Sequence, residues 1–481
     1  MSSWWEIAYR HFAIGNYYAA IDICQTQAVH AKNSVARATF LNSTGAAVSR
    51  LKSLHAARPY YEEAISLLDQ FADDEGYIGI KLKSTANLAH ALGYEGHEDV
   101  ALRVCHSVLQ LVSEKIPYES SVLLNSYIYS LIRAELYEKV LIEIPRALDL
   151  ASRVPDLGLR KVVEGLLYYN AGCASEALED YATSLNYYLK AADVEPLPEP
   201  YQGIARMHLF LERPMEAIRY TSELYRNVWG NSMANENVKL ADSLYLIGLF
   251  AHYAGQTDLS KRCVEKAEIY LGQACYWNEW LKVRDFDSWV SQRDIVIPED
   301  TFDWPLWHQF LDELSLIDSF ETMFPRLSYV PRYEANLAAQ LYERIVPDAA
   351  WDDIRRLQVA GRLVYLGLTV MTSNDEEAVS ILSDRSSIPE IGQLGVRLLE
   401  AYPHSENYRY LIPACRKGAD VSGLTDEDRL MAECLGLSLD YVELMELYGL
   451  SHDEAMQELE ASRYHLYDPR VVESFRAQMM V

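Results

Sequence analysis

Apolar residues recur three and four positions apart through the first part of the chain, in short segments separated by turn residues. Examples are GNYYAAIDI, RPYYEEAISLL and RPMEAIRYTSELY, which begin at residues 15, 58 and 213. Seven segments share one pattern: a turn residue or polar pair, then often an aromatic residue, then a small side chain. The apolar spacing predicts amphipathic helices, and the turn residues predict that these helices come in pairs.

Small side chains occupy a fixed place in each segment. They are Ala20, Ala64, Ala101, Val140, Ser184, Ala217 and Ser260. Twelve residues earlier, five of the seven segments carry a second small residue: Ala8, Ala89, Gly172, Ala205 and Gly248. Two helices can cross closely only where small side chains face each other. The pattern therefore predicts crossing points within helix pairs, and the segments around residues 52 and 128 are expected to be irregular.

This pattern resembles the tetratricopeptide repeat over roughly residues 4–275, with a period of about 33 to 44 residues. The resemblance implies a helical solenoid of about seven pairs whose concave groove binds a partner protein. In the family, an Asn of the first helix often contacts a bound peptide, and Asn87 and Asn170 match that position. The alternative for both is an Asn that bonds only to neighbouring residues of its own protein.

The repeat pattern stops near residue 284. Pro298, Pro305 and several Trp residues follow, and Leu306, Phe310, Leu314 and Ile317 then predict an amphipathic helix from about 305 to 320. Beyond it the chain is helical again but without the period. We therefore predict an all-α protein with a repeat domain at 1–283, a linker with a connecting helix at 284–326, and a second helical domain at 327–481.

The segments IPEIG, DVSGLT and YDPRVVESF occur in this order after residue 387. With the helices around them they resemble a degenerate HD-GYP phosphodiesterase domain over about 327–478. Active members of that family hydrolyse cyclic di-GMP with two or three metal ions. The resemblance aligns the family's metal ligands with side chains of other types: Tyr333, Val364, Tyr365, Ile388, Cys415, Arg416 and Leu435.

Loss of these ligands leaves no metal site for hydrolysis. We therefore expect no cofactor, no metal and no catalysis, and a former site packed largely with apolar side chains. The domain would serve in docking or in formation of a homodimer. The alternative is a receptor that binds cyclic di-GMP or another nucleotide without hydrolysing it, with Arg416 and Lys417 contacting phosphate.

The chain has a formal net charge of −27, from 70 acidic and 43 basic residues, and no long basic run. Such a surface repels nucleic acid and anionic membranes. Seven scattered cysteines form no C-x-x-C pair, and MSSWWEIAYRHF at the N-terminus has no signal-peptide pattern. Together with the resemblances, these features predict a bacterial cytoplasmic signalling or scaffold protein that binds a protein partner.

Overall fold

The computed structural model describes residues 2–69, 75–194, 198–221, 224–234, 236–274, 277–291, 295–384, 387–416 and 421–479. Over these residues the secondary structure is α-helical without any strand, which confirms the all-α class. Four short 3-10 turns, Leu109–Leu111, Glu299–Thr301, Pro403–Asn407 and Tyr464–Leu466, interrupt the connections. No helix in the described part of the chain has the length and apolar character needed to cross a membrane.

The chain divides into two compact units. One, the terminal unit, combines Met1–Thr26 with Pro305–Val481, and the other, the repeat unit, is Gln27–Trp304. The predicted boundaries at 283 and 327 differ from this division. The sequence pattern identified helix pairs, but it carried no information about which other helices each pair would pack against.

The repeat unit follows the helices α1 (Ser2–Ala13) and α2 (Tyr17–Val29) along the chain. Its helices are α3 (Ser34–Leu51), α4 (Leu54–Leu68), α5 (Glu75–Tyr94), α6 (Glu98–His106), α7 (Pro117–Arg133), α8 (Tyr137–Ser152), α9 (Leu157–Ala177), α10 (Tyr181–Val194), α11 (Pro198–Phe210), α12 (Pro214–Ile218), α13 (Leu224–Met233), α14 (Asn237–Tyr253), α15 (Thr257–Gln273), α16 (Trp277–Arg284) and α17 (Phe286–Val290). The first helix of each pair, here called an A helix, is α3, α5, α7, α9, α11 or α14.

The predicted crossing points hold the pairs together. The Ser184 hydroxyl donates a hydrogen bond to the Gly172 carbonyl at 2.9 Å, and Ser260 does the same to Gly248 at 2.9 Å. A Cβ atom at Gly172 would lie 2.6 Å from the ring of Tyr188, a distance that real Cβ atoms do not tolerate. The twelve-residue spacing read from the sequence is therefore a real packing contact between the two helices of a pair.

The second pair, α3 with α4, has a different crossing from the one expected. A Cβ at Gly45 would lie 2.5 Å from the Tyr61 ring, at the same offset that separates Gly172 from Tyr188. Ala57, twelve residues after Gly45, is fully buried, as is Ala64. Because Ala57 and Ala64 lie seven residues apart on one helix face, the sequence pattern selected Ala64 where the structure uses Ala57.

A tight turn of one kind connects the two helices in most pairs. The seventh residue after the A-helix crossing position has a positive φ in six pairs, including the one formed by α1 and α2. These residues are Gly15, Gly96, Glu135, Glu179, Glu212 and Gly255. In the second pair the corresponding Lys52 has φ −106°, so its turn is of another kind. Three glutamates therefore adopt a backbone conformation that favours glycine.

The terminal unit contains α1, most of α2 and the helices from the end of the chain. The latter are α18 (Trp304–Met323), α19 (Tyr329–Ile345), α20 (Trp351–Leu363), α21 (Leu368–Met371), α22 (Asp375–Ser383), α23 (Ile388–Leu399), α24 (Leu411–Ala414), α25 (Asp426–Glu446), α26 (His452–Ser462) and α27 (Pro469–Met479). Of the four residues predicted to form the apolar face of α18, Phe310, Leu314 and Ile317 are buried and Leu306 is half-buried.

Direct hydrogen bonds attach the first helix pair to the end of the chain. The Tyr18 hydroxyl donates to Glu446 Oε1 at 2.7 Å, and the Asp22 carboxylate accepts the backbone N–H of His452 at 2.6 Å. The His11 and His452 rings meet edge to face with centroids 5.7 Å apart. Helices α1 and α2, although they follow the repeat pattern, are therefore part of the core of the terminal unit.

Candidate partner-binding site

Two pairs of asparagines link neighbouring A helices in the repeat unit. Asn87 Nδ2 on α5 donates to Asn42 Oδ1 on α3 at 3.0 Å. Asn170 Nδ2 on α9 donates to Asn125 Oδ1 on α7 at 2.9 Å. The predicted residues Asn87 and Asn170 thus each bond to a side chain of the preceding A helix. Their partners were missed, although both lie 45 residues earlier.

Each pair uses only part of its hydrogen-bonding capacity. A primary amide has an NH₂ donor and a carbonyl acceptor. The bond within each pair uses the NH₂ of one asparagine and the carbonyl of the other. Among the described residues, no partner bonds the remaining groups of the first pair, which are Asn42 Nδ2 and Asn87 Oδ1. The same holds for the second pair, where the remaining groups are Asn125 Nδ2 and Asn170 Oδ1. Asn170 is 7% exposed, whereas the other three are half-buried. Each pair therefore presents one NH₂ and one C=O.

Three aromatic rings cluster on α5 and α7, and His90 follows Asn87 by three residues on α5. The His90 ring on α5 has its centroid 5.2 Å from that of Tyr94 and 5.0 Å from that of Tyr129 on α7. Burial, together with the positive charges of Lys239 and Arg50, lowers the pKa of His90 to about 4. The imidazole is therefore neutral at physiological pH and contributes an apolar surface with a polar edge.

Charged residues near the A helices are paired with one another. Arg206 on α11 forms two bonds to the Glu176 carboxylate of α9, at 2.6 and 2.9 Å. Lys239 on α14 lies 2.5 Å from Glu199. In each of these pairs the positive charge is compensated by the negative charge. The open amide groups are therefore better suited to an uncharged backbone than to a charged ligand.

The first and the last A helix, α3 and α14, come close to each other. Arg50, at the end of α3, lies 3.6 Å from Glu236, which immediately precedes α14. The charges of Lys239 on α14 and Arg50 on α3 both act on His90 of α5. The A helices therefore face one another across a concave side of the repeat unit, and the asparagine pairs lie on that row.

In the terminal unit, some positions aligned with metal ligands come together as a buried polar network. The Tyr365 hydroxyl lies 2.8 Å from Glu334 Oε1 and 3.1 Å from Glu443 Oε1. Arg416 donates to Glu443 Oε1 at 2.6 Å, and its guanidinium lies 5.4 Å from the centre of the Tyr365 ring. The expectation of a mainly apolar filling is wrong here, because the sequence did not reveal that Glu334 and Glu443 would join these two residues.

This network does not fit a metal ion. A guanidinium already supplies the positive charge beside the carboxylates. Over the part of the chain that the structure describes, no group of three or more His, Cys, Asp or Glu residues is arranged to hold a metal. Val364 and Leu435 are buried among the surrounding apolar side chains, and Ile388 begins α23.

Arg416 and Lys417 are the residues predicted to contact nucleotide phosphate. The Arg416 side chain is 15% exposed and bound to Glu443, so its charge is already compensated. Lys417 lies outside the described residues. Phosphate binding at Arg416 would require breaking a buried ion pair and leaving Glu443 without its cation, which is costly.

No protein-family model and no curated protein matches the sequence. Among solved structures, the crystal structure of a Rap protein complexed with competence and sporulation factor is similar to this chain. The TM-score is 0.40 and the identity 13%, over 57% of this chain and 80% of that chain. Similarity at this level carries no functional residue from one chain to the other.

Proposed function

We propose that this protein is not an enzyme and that it binds an extended segment of a partner protein along the A helices of the repeat unit. The main support is the two amide contacts between A helices, Asn42 with Asn87 and Asn125 with Asn170. Each leaves one donor and one acceptor, which is the complement of the C=O and N–H of a peptide backbone.

The spacing of the two pairs sets the length of the bound segment. Packed helix axes lie about 8–10 Å apart, and the second pair is displaced from the first by two such steps. The distance is therefore about 16–20 Å. An extended chain rises about 3.3 Å per residue, so a segment of about six residues would reach both pairs. The neutral His90 and its tyrosine neighbours would contact apolar side chains of that segment.

In this proposal the terminal unit supplies contacts, for docking or self-association, and no catalysis. The support is the network of Tyr365, Glu443 and Arg416, in which the Glu443 carboxylate is already paired with a guanidinium. Binding of cyclic di-GMP or another nucleotide at Arg416 is the weaker alternative, because that guanidinium is already paired. A bacterial cytoplasmic signalling or scaffold role accords with the acidic composition.

Selection of binders from a random linear peptide library tests the proposal directly. Peptides enriched on the wild-type protein should bind the Asn87→Ala/Asn170→Ala variant more weakly, because two sets of amide groups are lost. The matched control is Asn186→Ala, which removes an exposed amide from α10, outside the A helices. Equal binding of the selected peptides to all three proteins, or no enrichment at all, would contradict the proposal.

A further inference from the structure

Arg332 is a buried cation without a hydrogen-bond partner. It is the fourth residue of α19 and only 5% of its surface is exposed. Among the described residues, no acceptor lies within hydrogen-bond distance of its guanidinium. Burial of an ionised group is expensive unless it is paired and hydrogen-bonded, so an acceptor that reached this guanidinium would stabilise the arrangement.

The charges next to Arg332 do not balance. Glu321 on α18 is the acidic group that acts on it, and Arg362 on α20 adds a second positive charge. Arg362 Nη2 donates to Glu321 Oε1 at 2.5 Å, so the carboxylate is already engaged. Burial lowers the pKa of Arg332 to about 10, in the presence of these two neighbours. Two guanidiniums and one carboxylate leave one uncompensated positive charge.

A second ion pair between the same helices shows what a complete arrangement looks like. Arg355 on α20 and Glu313 on α18 have side chains that are each 2% exposed, and Arg355 Nη1 contacts both carboxylate oxygens at 3.1 and 2.9 Å. There the buried cation is matched by the buried Glu313 and also by the exposed Asp352, whose Oδ1 lies 3.3 Å from Arg355 Nε. Around Arg332 the proportion is reversed, with two guanidiniums and one carboxylate.

We propose that Arg332, together with Arg362, forms a binding site for a small singly charged oxyanion group, of the carboxylate or phosphodiester type. Arg332 supplies the open hydrogen-bond donors, and Arg362, held by Glu321, supplies additional positive charge. One negative charge neutralises the group, whereas a dianion would leave an excess negative charge in a buried place. A planar guanidinium forms two parallel hydrogen bonds to either kind of oxyanion.

The position on α19 favours an anion for a second reason. Arg332 lies in the first turn of α19, at the end of the helix macrodipole that carries partial positive charge. Ser328, which precedes the helix, makes no side-chain capping bond to it. The small exposed fraction of Arg332 restricts access to a small ion or to the end of a larger molecule. This site lies in the terminal unit and is independent of the peptide-binding function proposed for the repeat unit.

Amide hydrogen exchange and thermal unfolding with added anions test the site. Acetate serves as the carboxylate probe and dimethyl phosphate as the phosphodiester probe, each compared with chloride at equal ionic strength. For the wild-type protein we expect slower exchange in peptides from α18–α20 and a melting temperature that rises with the logarithm of anion concentration. A response to one probe alone identifies the type of oxyanion, and a response to neither contradicts the site.

Arg332→Met should abolish both responses. In chloride this variant should also melt at a higher temperature than the wild type, because an unpaired buried cation has been removed. A purely structural role for Arg332 predicts the opposite: a lower melting temperature and an unchanged anion response. The matched control is Arg344→Met, which removes an exposed arginine from the last turn of the same helix and should keep the full response.

Arg332→Lys provides an independent comparison if the methionine variant fails to fold. Lysine keeps the charge but lacks the planar fork, so the same responses should require higher anion concentrations. A concentration dependence identical to that of the wild type would overturn the assignment of Arg332 as the anion-binding group.

Discussion

The side-chain amide of Asn170 donates to the side-chain oxygen of Asn125 across two successive A helices, at 2.9 Å. Asn87 and Asn42 form the same bond with the same sequence separation of 45 residues. A bond of this kind fixes the position of two polar side chains that would otherwise move separately. It therefore contributes to stability and also holds the remaining donor and acceptor in place for a ligand.

A double-mutant cycle on Asn125 and Asn170 should reveal this coupling. The single changes to Ala should each destabilise the protein, and the double variant should lose less than their sum. The coupling should be about 0.5–1.5 kcal/mol, the net contribution of a typical hydrogen bond. Urea unfolding monitored by circular dichroism provides the measurement. Strict additivity would show that the bond between the two amides does not persist in solution.

Overpacking of a crossing point should be costly. Ala101 on α6 is fully buried twelve residues after the crossing residue Ala89. Ala101→Leu inserts three carbons into this contact and should destabilise the protein by roughly 1–3 kcal/mol. Ala182→Leu, at an exposed position of α10, is the matched control and should have little effect. Thermal melts that agree within error for both variants would contradict the assigned crossing.

The pairing of Glu443 with Arg416 predicts that the Tyr365 network of the terminal unit carries no catalytic metal. Protein produced with added manganese and iron should contain neither metal in stoichiometric amount, and it should leave cyclic di-GMP intact. Elemental analysis and chromatography of the incubated nucleotide measure the two outcomes. A near-stoichiometric metal that disappears in an Arg416→Ala/Glu443→Ala variant would show that these residues lie in a metal site after all.

Sequence patterns found those features of this chain that depend on neighbouring residues. The spacing of Gly172 and Ser184 was sufficient to identify a helix crossing, because both residues belong to one helix pair. The bond between Tyr18 and Glu446 joins residues 428 positions apart, and no local pattern indicates it. Arg332 was also missed, since a single arginine on a helix usually indicates an exposed face, and only packing shows that it is buried.

The turn glutamates offer a way to stabilise the repeats. Glu179 is exposed and has φ +60°, which costs an L-amino acid about 1–2 kcal/mol. Glycine removes that strain but loses about 0.5–1 kcal/mol in conformational entropy on folding. We therefore expect Glu179→Gly to stabilise the protein by up to about 1 kcal/mol in urea unfolding. Glu265→Gly, within α15, is the control and should be destabilising by about 0.5–1 kcal/mol.

The last prediction concerns the proton shared within the Tyr365 network. A phenol has one proton, yet the Tyr365 oxygen lies within hydrogen-bond distance of carboxyl oxygens of both Glu334 and Glu443. One of the two carboxyl groups must therefore supply a proton of its own. Glu443 Oε1 already accepts a hydrogen bond from Arg416, so we assign the additional proton to Glu334. Burial raises the pKa of Glu334 well above its usual value, and the negative charge of Glu443 raises it further.

A carboxyl group whose pKa is raised by folding binds its proton more tightly in the folded state than in the unfolded state. Its contribution to stability is present below the ordinary pKa of about 4.5. That contribution is lost as the pH rises towards the folded pKa, because the unfolded chain releases the proton first. Glu334→Gln keeps a neutral hydrogen-bonding side chain and removes this dependence. The variant should therefore gain stability over the wild type as the pH increases. Urea unfolding of both proteins at pH about 6 and about 9 measures the gain, and a stability difference that is constant or decreases with pH would show that Glu334 is ionised in the folded protein.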